Sequence, residues 1–310
     1  MEHKTKWAIV VCLTVMHSLT AKAQFGDPRD KLTITASVDG ATNTDYRWKT
    51  NDGELLENGR LRQGVNARLR VGVKLVGSKR FSLSFNPFYN FSTRSMKANG
   101  DGPQLNLDLP SVHHHYGGGF TATYNTQWLG KPFTLMAMVT GNFSQYGYES
   151  SSAMGAAMFA ITRNRTTYLS LGAICLVGTS VSWPLYPMIV YTHRFDNYWS
   201  VNCLGTNHYL YYQATPKIRC AVGMEIESDK MYLRPDRKDL PRKTEISSLS
   251  ERFGVFADLQ AAPGLSVNMG LGITVPFYSR LRESGYNKTY MRMYDHVKPF
   301  VKLQMKYALR

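Results

Sequence analysis

Past its first two dozen residues the chain has no run approaching the ~20 consecutive apolar residues that a membrane-spanning helix requires, although 43% of all residues are hydrophobic. The apolar content must therefore be spread over shorter units. Cysteine is scarce, with Cys175, Cys203 and Cys220 the only three after the leader. Their spacing fits no zinc site, and each lies in a separate segment with another between, which argues against disulfides. They are expected to be free and to act as small hydrophobes. No nucleophile motif accompanies His193 or His208, so no enzyme is indicated, and nothing calls for a cofactor or metal. Acidic residues are in the minority, 22 Asp and Glu against 37 Lys and Arg, for a net charge of +15.

The start of the chain has its own pattern. Lys4 and Lys6 precede a mostly apolar run from Ala8 to Leu19, and Ala21-Lys22-Ala23 forms a small-x-small cleavage site. This is the layout of a secretory signal, so residues 1–23 are expected to be removed and residues 24–310 to form one domain. The mature chain then carries about +13. For an exported protein that charge points to anionic lipid or acidic solutes, not to nucleic acid.

The remaining segments alternate. Val297 to Arg310 puts Val297, Val301, Leu303, Met305, Tyr307 and Leu309 in one phase and Lys298, Lys302, Gln304 and Lys306 in the other. Period 2 marks a strand with one apolar and one polar face. Similar segments begin at Leu32, Val65, Phe81, Phe120, Phe133, Ala157, Leu169, Ile218, Phe253 and Leu265, with three less regular ones around Val190, Val201 and Tyr211. The connections alternate between short turns, as at Gly77-Ser78, Leu129-Gly130, Asp196-Asn197 and Pro263-Gly264, and longer polar loops. The mean hydropathy of −0.30 does not separate a soluble sandwich from a membrane barrel; strand number and loop alternation do. The expectation is all-β: a closed antiparallel transmembrane β-barrel of about 14 strands, or 12 if residues 187–215 hold fewer, with both termini on the periplasmic side. Aromatics near strand ends (Trp128, Tyr146, Tyr148, Trp183, Tyr186, Phe195, Tyr198, Trp199, Phe277 and Tyr278) are placed as interfacial girdles.

In such a barrel the polar phase faces the interior. Arg68, Arg70, Lys74, Lys298, Lys302 and Lys306 are thereby lumen cations, and Glu225, Glu227 and Asp258 lumen acids. Two arrangements fit: a water-filled lumen that attracts anions, or a salt-bridge network that fills the barrel. His113-His114-His115 alternate faces, which leaves at most a pair and no third metal ligand. The segment holding Lys230, Arg234, Arg237, Lys238, Arg242 and Lys243 reads as an external basic loop, either solvated or in contact with lipopolysaccharide phosphates.

Three blocks carry a family resemblance: Trp183-Pro184-Leu185-Tyr186-Pro187-Met188-Ile189-Val190-Tyr191, Tyr212-Gln213-Ala214-Thr215-Pro216, and Tyr232-Leu233-Arg234-Pro235-Asp236. Together they resemble an uncharacterised family of Gram-negative outer-membrane β-barrel proteins. The resemblance implies the barrel, its location and dependence on the outer-membrane assembly machinery, but no activity and no functional residues. The chain departs from the family's C-terminal aromatic signal, since Leu309-Arg310 follow Tyr307. The expected function is a small passive, porin-like channel with a basic interior that admits small anionic solutes. A closed barrel acting through its loops is the first alternative, and a lipid-modifying enzyme at the rim the second.

Overall fold

A computed structural model describes residues 30–99, 105, 107, 109–178, 185–205 and 207–309; the expected signal at 1–23 and Trp183 lie outside them. Sixteen strand segments form a single antiparallel sheet: β1 (Leu32–Ala41), β2 (Thr44–Thr50), β3 (Leu55–Gly77), β4 (Phe81–Ala98), β5 (Val112–Trp128), β6 (Lys131–Ser144), β7 (Gly147–Arg163), β8 (Thr167–Val177), β9 (Leu185–Arg194), β10 (Trp199–Leu204), β11 (Asn207–Gln213), β12 (Ile218–Leu233), β13 (Thr244–Ala262), β14 (Leu265–Glu283), β15 (Thr289–Asp295) and β16 (Lys298–Leu309). β1 and β2 share one wall position, because both pair with β3. β15 and β16 share another, because both pair with β14. The wall therefore has fourteen strands, and it closes where Leu32 pairs with Leu309. The uncertain stretch 187–215 holds β9, β10 and β11, which gives fourteen and not twelve.

The start of β1 at Leu32 and the end of β16 at Leu309 lie together at the short-turn end. The turn between β5 and β6 is two residues long, with Leu129 and Gly130 both at positive φ (50° and 72°). That is the hairpin turn whose twist matches the flanking strands. At the β9–β10 turn the Asp196 carboxylate accepts from the backbone N–H groups of Tyr198 (2.7 Å) and Trp199 (2.6 Å).

The outward phase is a continuous apolar belt, with Val301 67% and Leu271 60% exposed. A surface of this kind is stable only against lipid. Cys175, Cys203 and Cys220 are free and lie in this phase. Trp128, Phe195, Tyr198 and Trp199 are exposed at the short-turn end, and Tyr146 and Tyr148 at the other. Tyr186 is not a girdle residue, since it faces inward from β9 and is buried. The interior is also less polar than the alternation suggests. On β7, β8 and β9 the inward Met154, Met158, Ile174, Leu176, Met188 and Val190 pack into a buried cluster, so both phases are apolar there and period 2 is lost.

At the long-loop end the sheet curls over its own lumen. Register shifts between Gln63 and Asn66 and between Leu249 and Ser250 each insert an extra residue, so the inward phase changes parity. Above them Tyr46, Trp48, Leu61, Met231, Ile246, Leu281, Met291 and Met293 all point inward. Leu105, Leu107 and Leu240, from the β4–β5 and β12–β13 connections, complete this apolar cap. β11 stops pairing with β12 at Glu225, so the upper part of β12 leaves the wall and crosses the lumen. Tyr232 on its far face donates its backbone N–H to His113 Nε2 of β5 at 2.7 Å and is itself fully buried.

The bend occurs at a row of glycines. Gly223, Gly254 and Gly272 are in register across β12, β13 and β14. A Cβ built at any of the three falls on a carbonyl oxygen of the neighbouring strand, that of His208, Leu271 and Phe253 respectively. Only glycine allows strands to approach in this way. Outside the bend lies an open concavity of about 590 Å³ lined by His208, Val222, Met224, Phe253, Val255 and Leu271. Gly272→Val is expected to destabilise the folded barrel by ~1–3 kcal/mol through overpacking, read as a lower denaturant midpoint in vesicles. The same substitution at Gly155, where a Cβ meets nothing within 4 Å, should be tolerated, and equal effects at the two positions would refute the assigned bend.

The candidate site inside the barrel

Beneath the apolar cap lies a layer of paired charges. Asp39 on β1, 2% exposed, accepts from Arg252 Nη2 at 2.7 Å and lies 3.8 Å from Arg68. Glu227 of β12 pairs with Arg68 and, at 3.4 Å, with Arg252. Asp229 pairs with Arg94 on β4. Lys302 donates to both oxygens of Glu225 at 2.8 and 2.9 Å, and the Tyr209 hydroxyl donates to the same carboxylate. Lys298 donates to Asp295 at 2.7 Å. These contacts bind the inward-leaning β12 to β3, β4 and β16. Ions so buried remain charged only while their partners are in place.

Below this layer, toward the short turns, the lumen is wetter. Arg219 and Asp258 still pair, at 2.7 Å, but are 43% and 30% exposed. Thr35 of β1 has Lys306 of β16 opposite on one side and Arg70 of β3 on the other. Arg70 is solvent-exposed although it points inward, and Lys306 is half-buried. Neither enters an ion pair among the described residues. Two strand spacings of about 4.8 Å separate their backbones, so the two cations flank one hydroxyl on one wall. Lys74 lies in the same inward phase next to the register shift at the short-turn end.

Of the six lumen cations read from the sequence, three are consumed by pairs and Arg70 and Lys306 are not. Glu225, Glu227 and Asp258 are all in the lumen and all paired. Sequence reasoning missed Asp39, Arg94, Arg219 and Arg252. Each lies in the inward phase of its strand, so parity was the available signal. The 230–243 segment differs more from expectation. β12 and β13 run on to Leu233 and from Thr244, so the connection is shorter than it looked. Lys230 is within the barrel, 3.7 Å from the buried Glu245, whose other partner is Arg282 at 2.7 Å. Arg234 donates to Glu149 of β7 at 2.7 Å, and Arg237 to the Leu105 carbonyl at 2.8 Å. Arg237 also pairs with Asp239, whose carboxyl these hydrogen bonds hold below the usual carboxylate range. Lys238, Arg242 and Lys243 are exposed, though Lys243 reaches the Tyr148 carbonyl at 3.1 Å. Three of the six cations, Lys230, Arg234 and Arg237, thus fasten the β12–β13 hairpin, which acts as a lid over the lumen, and the other three stay on the surface.

The histidines divide as alternation requires. His113 and His115 face in, against Tyr232. His114 faces out, 2.7 Å from the Tyr89 hydroxyl. His193 is on the outer face beside Tyr191 and Phe195, and its Nδ1 lies 2.8 Å from the Thr167 hydroxyl. His208 also points outward, into the external concavity. No group of three or more His, Cys, Asp or Glu suited to a metal occurs among the described residues.

A closed fourteen-stranded antiparallel wall, apolar outside and charged within, defines a β-barrel of the outer-membrane type. No family model matches the sequence, so no family is assigned. No curated protein matches it either. Among solved structures it is similar to the COG4313 outer membrane channel from Pseudomonas putida F1, with 13% identity, a TM-score of 0.46, and coverage of 92% of this chain and 98% of that one. It is also similar to a Pseudomonas aeruginosa FadL homologue (11% identity, TM-score 0.39, 91% of each chain) and to the P. putida toluene transporter TodX (8% identity, TM-score 0.36, 94% and 92%). Likenesses this distant transfer no function to this chain.

Removing one member of the buried charge layer should be costly. Asp39→Ala leaves Arg252 buried without its closest partner and is expected to lose ~3–5 kcal/mol. Asp239→Ala, in an exposed pair, should lose at most ~1 kcal/mol. Equilibrium unfolding in lipid vesicles measures both, and equal losses would contradict the burial ranking.

Proposed function

We propose that the chain is an outer-membrane channel for small anionic solutes, held shut at its outer end by the β12–β13 hairpin. The observation that carries this reading is the pair Arg70 and Lys306, which line the lumen and enter no ion pair among the described residues, while the charges above them are paired. Unpaired cations along a water-filled passage raise the local concentration of anions and lower the barrier to their entry. The long loops and the lid then face the cell exterior, and the termini and the basic vestibule face the periplasm. Opening requires the hairpin to release Arg94, Arg68 and Glu149, the last through Arg234.

A second reading, a permanently closed barrel acting through its outer surface, is favoured by the cap itself, in which Trp48 and Leu281 are wholly buried. Planar-bilayer recording separates the two. Wild-type protein should be closed most of the time, with brief anion-selective openings; Asp229→Asn combined with Glu149→Gln should raise the open fraction severalfold. Arg70→Glu with Lys306→Glu should turn the open state cation-selective. Silence of every variant would favour the closed barrel, and an unchanged selectivity after the double reversal would remove the two cations from the filter.

A further inference from the structure

The outer surface carries a second basic feature where the apolar belt ends. On β14, β15 and β2 the outward Arg280, Arg292 and Lys49 stand directly opposite one another in register. The next rows toward the belt and along β3 and β4 bring Arg47 beside Tyr294 and Arg60 beside Lys97, with Arg62 two residues further along β3. Asp45, opposite Arg60, is the one acid on these outward strand faces. Like charges set opposite each other across a ladder, as Arg60 and Lys97 are, repel and are destabilising unless something anionic lies over them. Among the described residues Arg47, Lys49, Arg60, Arg62 and Lys97 enter no ion pair, and Arg47, Arg60, Arg62 and Lys97 are exposed.

The position of this patch specifies its ligand. Directly below it on β3 the outward Val65 and Leu69 belong to the lipid belt, and the belt continues at Val297, just before β16, and at Val301 within it. Between belt and patch stand Tyr278 and Tyr294, with Arg280 over the Tyr278 ring at 4.1 Å and Lys49 5.7 Å from the Tyr294 centroid. Amphipathic rings of this kind mark the headgroup level. Arginine's planar fork matches phosphate oxygens in a bidentate manner, and several such forks fit a headgroup with more than one phosphate. We propose that the outward face of β14, β15, β2 and β3 binds the phosphates of a phosphorylated glycolipid of the outer leaflet, of the lipopolysaccharide class. This site rests on the outer-membrane reading above and on the orientation with long loops outward. The site is separate from residues 230–243, of whose six cations Lys230, Arg234 and Arg237 are engaged within the barrel and its cap.

The test uses the full folded chain, first in detergent with fluorescently labelled lipopolysaccharide, intact or chemically dephosphorylated, and then in vesicles with and without the intact lipid. The intact form should bind at least tenfold more tightly than the dephosphorylated form, with the difference shrinking as salt rises. Arg47→Glu, Arg60→Glu and Arg62→Glu together should abolish that preference, whereas Lys238→Glu with Arg242→Glu should retain it. Equal binding of the two lipids by wild-type protein would overturn the site whether or not the triple variant folds, as would equal losses in the two sets of variants. A wild-type chain that fails to insert into any vesicle overturns the outer-membrane reading itself. Insertion without phosphate preference overturns the site alone.

Discussion

Closure of the backbone ladder is the constraint on which the other features depend. In hydrocarbon an unpaired N–H or C=O costs several kcal/mol, so a sheet with an edge cannot span a bilayer. Here the edge is removed where β1 meets β16 over ten consecutive residue pairs, Leu32 with Leu309 to Ala41 with Phe300. Once the ring is closed, every strand has one face toward lipid and one toward the lumen, and the choice of side chain at each position follows from which solvent it meets. Where β12 rises above β11 the ladder is incomplete, and there the strand is inside the barrel and not in the wall.

The charge distribution follows from the same geometry. A basic chain of this size cannot place its excess cations in the belt. They lie instead in the lumen, at the short turns as with Lys79, Arg80, Lys131, Arg165 and Lys217, or above the belt on the outer face. In the lumen most are matched by acids contributed from other strands, often distant in sequence, as with Arg252 and Asp39 or Lys302 and Glu225. Those matches hold β12 across the passage, so the layer that neutralises the lumen also closes it. Arg70 and Lys306 lie below the level at which β12 crosses the lumen, and neither forms an ion pair among the described residues.

Much of the barrel was legible because period 2 reports the two solvents directly. Leu303, Met305 and Tyr307 against Lys302, Gln304 and Lys306 gave both the strand and its phase. The lid was not legible, for two physical reasons. Bulges such as the one between Leu249 and Ser250 change parity, which turns a regular pattern into one that reads as a loop. Charges such as Lys230, Glu245 and Arg282 look like solvent-exposed residues until partners on neighbouring strands, as far apart in sequence as Glu245 and Arg282, are placed beside them. The Met-rich wall on β7–β9 was hidden for a different reason. With Met188 facing in and Ile189 facing out, both phases are apolar, and alternation has nothing to report.

A lumen open from the short-turn end and sealed from the long-loop end can be tested by thiol labelling. Thr35→Cys, in a background where the lipid-facing Cys175, Cys203 and Cys220 are replaced by alanine, is introduced into barrels oriented in sealed vesicles. A membrane-impermeant maleimide is then applied to one side at a time. Rapid labelling from the short-turn side and at least tenfold slower labelling from the long-loop side is the predicted result. Equal rates from both sides would mean that β12 does not close the passage, and no labelling from either side would mean that the lumen is filled throughout.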